Sequence, residues 1–70
     1  MVKIGQLRRW KSLLQIPVDF AENSSRIFLV HNVNPPNQNG ETFIGYIMDG
    51  KHHWDDIVWI EEYSEVISDD

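Results

Sequence analysis

The sequence predicts an all-β domain, a small, curved antiparallel sheet of five strands with long loops. Three observations carry this reading. Runs rich in β-branched and aromatic residues alternate with turn chemistry. Asp49-Gly50, the strongest hairpin signal in the chain, joins two of those runs. Gly45 interrupts a strand at a point where a sheet would bend sharply or backbone would approach closely. The 70 residues allow a single core, since a chain of this size buries only ~60% of the surface its unfolded form exposes. Residues 1–70 are therefore read as one domain.

Val2 and Ile4 alternate ahead of Gly5, so residues 3–9 read as a bent first strand. Leu7, Trp10 and Leu14 also stand at i, i+3 and i+7, which fits an amphipathic helix over residues 6–16 ended by Pro17. Residues 26–33 form the second strand and run into a loop where Pro35 and Pro36 forbid backbone donation and Asn39-Gly40 can take positive φ. The third strand is expected at 42–48 and the fourth at 51–54, across the Asp49-Gly50 turn. Ile57, Ile60 and Ser64 fit a short helical turn after Asp55 or Asp56 as N-cap, whereas Ile57-Val58-Trp59-Ile60 reads equally as strand. Residues 65–68 close the set. The expected core is Ile4, Leu7, Ile27, Leu29, Phe43, Ile47, Trp59, Ile60 and Val66, with Trp10. Strands at 26–33 and 42–48 are apolar on both faces, so the face turned from the core should be covered by loops, a helix or a partner.

Formal net charge is −5, divided as +3 over residues 1–35 and −8 over residues 36–70. Such polarity disfavours indiscriminate phosphate binding and suits a basic partner, self-association of opposite patches, or simple solubility. Cysteine is absent, so disulfides and thiolate metal ligands are excluded. The longest purely apolar run, Ile57 to Ile60, falls far short of the ~18 residues of a membrane span. No apolar stretch of signal-peptide length follows Met1, and a cytoplasmic protein is expected.

His52-His53 with Asp49, Asp55 and Asp56 is the densest group of potential metal ligands, but neighbouring strand residues point to opposite faces. No metal or cofactor is predicted. The acid pairs Asp55-Asp56 and Glu61-Glu62 lack a surrounding pocket, and no phosphate loop or placed nucleophile accompanies them, so no enzyme is predicted. The aromatic residues are more informative. Trp54, Tyr46 and Tyr63 can line a recognition groove, with the Pro35-Pro36 loop beside it and Asp55, Asp56, Glu61 and Glu62 steering a basic partner. Arg8, Arg9, Lys11 and Arg26, with Trp10 as a stacking platform, make the alternative, a weak single-strand nucleic-acid patch.

Three stretches taken together, residues 2–11, Ile27-Phe28-Leu29-Val30 and residues 62–68, resemble small phage-encoded proteins with an SH3-like barrel. Such proteins open on a V-K-x-G-x-L-x-x-x-K strand and close on an L-E-V-I-S-like one, where Ser64 replaces the leucine. The resemblance covers about half the chain and implies a five-stranded barrel closed by pairing of the last strand with the first. It departs from the pattern in the longer insert from Ser12 to Ser25 and in the loop expanded by Pro35-Pro36. It implies an accessory protein that binds a host or viral protein, as an inhibitor or modulator of a host factor with a basic surface. The structural alternative is a small subunit of a virion or other homo-oligomeric assembly, its double-sided strands covered by identical neighbours.

Overall fold

The computed structural model describes residues 1–69. Five strands form one antiparallel sheet: β1 (Leu7–Trp10), β2 (Ile27–Val33), β3 (Phe43–Met48), β4 (Lys51–Asp56) and β5 (Ser64–Ser68). Their order across the sheet is β4-β3-β2-β1-β5. One helix, α1 (Ile57–Tyr63), links β4 to β5, and two short 3-10 helices, Leu13–Gln15 and Val18–Asn23, lie between β1 and β2.

Local chemistry accounts for most of these boundaries. Asp49 and Gly50 both hold positive φ, 54° and 75°, which gives a two-residue turn whose twist matches the flanking strands β3 and β4. Asp56 ends β4 because its carboxylate accepts the Val58 N–H at 2.9 Å and so caps α1; the Ile57 to Ile60 run, ambiguous in the sequence, is helical. Gly5, at φ 88°, makes a turn and donates its N–H to the Val30 carbonyl at 2.8 Å. The first strand therefore starts at Leu7, not at residue 3, and the helix that residues 6–16 could form is replaced by a four-residue strand and a 3-10 turn.

The expected all-β barrel is not formed. β5 does pair with β1, but β4 and β5 remain the two edges of an open sheet, with no ladder between them among the described residues. The chain that would have to close that gap is coiled into α1, seven residues packed against β3, β4 and β5. The architecture is an open five-stranded sheet with a genuine helix on its inner face.

The core also lies on the opposite face from the one expected. Trp10, Phe28, Val30, Ile44, Tyr46, Met48 and Ile60 are buried, with Val2 completing the cluster. Ile4, Leu7, Ile27, Leu29, Trp59 and Val66, all expected inside, are exposed. A strand's side chains alternate, so choosing the wrong parity inverts a whole face. Here both faces are apolar, and ring volume decides: Trp10 lies 5.1 Å from Phe28 and 6.0 Å from Tyr46, and Phe28 lies 4.7 Å from Tyr46. Truncating a large ring in such a cluster typically costs ~3–5 kcal/mol.

Arg8 shares the inner face with Trp10 and is buried. Its Nε donates to Ser64 Oγ at 2.8 Å and Nη1 to Gln6 Oε1 at 2.7 Å, while Nη2 reaches the Ile60 and Ser64 carbonyls. Gln6 in turn donates to Asp69 at 2.8 Å. One guanidinium thereby ties β1 to β5 and to the carbonyl end of α1. Among the described residues no helix is long and apolar enough to cross a membrane.

Candidate interaction surface

The 3-10 segment and α1 pack against the inner face, leaving the outer face of the sheet bare. Register builds an apolar row across it: Leu7 stands opposite Leu29, Leu29 opposite Ile47, and Ile47 opposite His52. Side chains directly opposite one another on one face lie roughly 5 Å apart, so these form one patch. Ile27, opposite Arg9, extends it by a second row. Leu29 and Ile27 remain 38% and 48% exposed, although they sit in the middle strand.

Trp54 flanks this row. It stands opposite Gly45, and the missing side chain there lets the indole lie flat across β3. His31 is the extra residue of a bulge in β2 between Val30 and Asn32. The bulge aims its ring toward Trp54, 6.0 Å between centroids, and toward His52. His31 Nε2 and His52 Nδ1 are 3.0 Å apart with the rings nearly perpendicular, so one nitrogen donates and the other accepts. Trp54 itself is 48% exposed, the arrangement of an aromatic anchor held ready by its neighbours.

The residues expected to form one groove are divided between faces. Tyr46 is buried, stacks on His53 at 5.2 Å, and donates its hydroxyl to Asp55. Burial first, then the Asp55 hydrogen bond and charge, push the Tyr46 phenol well above its ordinary value. Tyr63 stacks on Trp59 at 5.6 Å and packs beside Phe20, on the α1 side. Asp55 and Asp56 are engaged inside the chain by Tyr46 and by the cap of α1. Glu61 and Glu62 are exposed on α1, Glu61 facing the N-terminal ammonium at 4.0 Å and the Glu62 carbonyl accepting from Lys11. Pro35 and Pro36 are exposed in the loop between β2 and β3, which is fastened by Asn37 Oδ1 accepting from the Asn39 and Glu41 N–H groups. Of this set only Trp54 and, at the far end of β4, Asp56 lie on the outer face, and Asp56 is turned to cap α1.

The alternative basic set is not assembled either. Trp10 is fully buried and cannot stack on a base, Arg8 is spent in the inner network, and Arg26 is paired with Asp49. Arg9 alone of the five points outward from β1. Among the described residues no three His, Cys, Asp or Glu side chains are grouped to hold a metal ion. A cleft of ≈ 210 Å³ beside the Arg26–Asp49 pair mixes charges of both signs, and is smaller than the several hundred Å³ of an ordinary ligand pocket.

His31, Leu29, Ile47 and Gly45 were missed as site residues. Gly45 carries a signal, since a glycine in mid-strand fits a bend or a close approach, but nothing in the sequence says that the approaching group is Trp54. His31 and His52 are 21 residues apart, and only the bulge brings them into contact.

No protein-family model, no curated protein and no solved structure matches this chain. The resemblance to phage-encoded SH3-like barrels is therefore corrected on both counts: the sheet is open, and no relative supports that origin.

Proposed function

We propose that this chain is a non-enzymatic protein-interaction module of the cytoplasm that docks a protein through the outer face of its sheet, with Trp54 as the anchor and Leu29 and Ile47 as the apolar floor. The observation that carries this reading is the uncovered row Leu7, Leu29, Ile47 beside the half-exposed Trp54. Removing apolar surface from water contributes ~25 cal/mol per Å², so a patch of several such side chains is a standing source of association free energy. Polar side chains of the kind that serve chemistry are used to hold the fold: Asp55 by Tyr46, Asp56 by α1, Arg8 by Ser64 and Gln6. Glu61 and Glu62 lie on α1, away from Trp54, and stand outside this contact.

Photo-cross-linking tests this directly. A photoreactive residue at Trp54 or Leu29 is expected to give a discrete protein adduct in cells, while the same group at Leu14, 97% exposed on the 3-10 segment, gives none. Adducts from Leu14 alone, or from neither outer-face position, would remove this surface as the site.

A further inference from the structure

We infer that the occupant of the outer face is a second copy of this chain, giving a two-fold dimer packed sheet against sheet; the inference rests on the docking role proposed above and names its partner. The chain carries a net charge of −5, so most of its surface repels its own kind. The outer face is the exception. Strand parity leaves Glu65 as the carboxylate on it among the described residues, apart from Asp56 at its far end, which is turned to cap α1. Arg9 stands directly opposite Glu65 in the β1–β5 register, and both are exposed. The ion pairs among the described residues are Met1 with Glu61, Lys3 with Asp69 and Arg26 with Asp49, so neither Arg9 nor Glu65 is committed within the chain.

One cation and one anion at the rim of an apolar patch make a surface that is self-complementary in charge. This is what a two-fold contact requires, since the same patch must suit itself. A strongly basic partner would instead meet Glu61 and Glu62 on α1, on the other side of the sheet from the Leu7, Leu29, Ile47 row. Two such faces packed together would bury Leu7, Ile27, Leu29 and Ile47 of both copies, in the way paired sheets share a core about 10 Å thick.

Opposite charge changes on this rim provide the test. Arg9→Glu makes the rim doubly negative, and Glu65→Lys makes it doubly positive. Sedimentation velocity of the unaltered chain over the micromolar to millimolar range should show a reversible monomer–dimer equilibrium. Each variant alone should dimerise about tenfold more weakly or worse, because like charges then meet across the contact. An equimolar mixture of the two variants should recover the dimer, a result that damage to either fold would not produce; circular dichroism confirms that each variant is folded. A chain that stays monomeric throughout, or a mixture that sediments as its separate components, overturns the dimer. Cross-link adducts from Trp54 at a mass other than twice the chain's, with no self-adduct, overturn the dimer and leave the docking role standing. Absence of both dimer and adducts removes the two together.

Discussion

The indole of Trp54 lies so close over Gly45 that a Cβ at position 45 would stand 2.8 Å from Cη2 and from Cζ3 of the ring. It would also stand 3.2 Å from the Asn32 Cβ. Gly45→Ala must therefore move something, and the half-exposed Trp54 ring is freer to move than the backbone of the middle strands. The expected outcome is a folded variant, destabilised by ~1–3 kcal/mol, whose Trp54 has swung off the face. Adduct formation from Leu29 should fall as far as it does in Trp54→Ala. Urea unfolding with near-ultraviolet circular dichroism reports both effects, and an unchanged aromatic signal would show that Trp54 does not rest on Gly45.

Tyr46 sets an alkaline limit. Its folded phenol is held far above the ordinary value of 10.0 by burial and by Asp55, whereas in the unfolded chain it ionises normally. Above that ordinary value the unfolded state binds fewer protons than the folded one, so stability falls as pH rises, by ~1.4 kcal/mol per pH unit for one such group. Below it the contribution is fully present. Tyr46→Phe should lose about 1 kcal/mol at neutral pH with the Asp55 hydrogen bond, then show a shallower alkaline decline than the parent. Equal slopes in paired denaturation series would assign the decline to other groups.

Local signals in the chain were legible, and long-range ones were not. Asp49-Gly50 announced the β3–β4 turn, and Asp55-Asp56 offered a cap for a helix there without deciding between the two or against a strand, because such signals act only on their immediate neighbours. Strand parity was not legible: Phe28 and Leu29, or Tyr46 and Ile47, are equally apolar, and the choice follows from how their rings pack with Trp10 across the sheet. Arg8 reads as an outward charge in any alternation, yet it points inward because Ser64, 56 positions away, and the end of α1 receive it. The candidate surface suffered the same loss. Trp54 was identifiable by type and position, but Leu29 and Ile47 were assigned to the core, and His31 reaches the surface only through a bulge.

The Arg8 fork cannot be replaced by another cation. Its nitrogens address Ser64 Oγ, Gln6 Oε1 and two carbonyls in one planar arrangement, and a lysine ammonium offers three donors at a single point. Arg8→Ala removes the buried donor to Gln6 Oε1 and Ser64 Oγ, while the Ile60 carbonyl keeps Ser64 as its donor, and should cost ~2–4 kcal/mol. Arg8→Lys should recover only a minor part of that loss. Chemical denaturation of the three proteins measures it, and a fully stable Arg8→Lys chain would show that charge alone suffices.

Asp69 fastens the end of β5 to the start of the chain. Gln6 donates to one carboxylate oxygen at 2.8 Å and the Lys3 ammonium to the other at 3.1 Å. Those two bonds, Gln6 first, hold the Asp69 carboxyl below its ordinary value of 3.8. The sign is that of a depressed acid: its contribution is present above the ordinary value and is lost as pH falls through the folded one. Asp69→Asn should therefore be less stable than the parent at neutral pH, and the gap should narrow as acid protonates the parent's carboxylate. Added salt should shrink the share owed to the exposed Lys3 pair, while the share owed to Gln6 persists. Thermal unfolding of both chains across the acid range, at low salt and at molar salt, measures each share. A gap that stays constant as pH falls would show that the carboxylate charge has no part in closing β5 onto the chain's first turn.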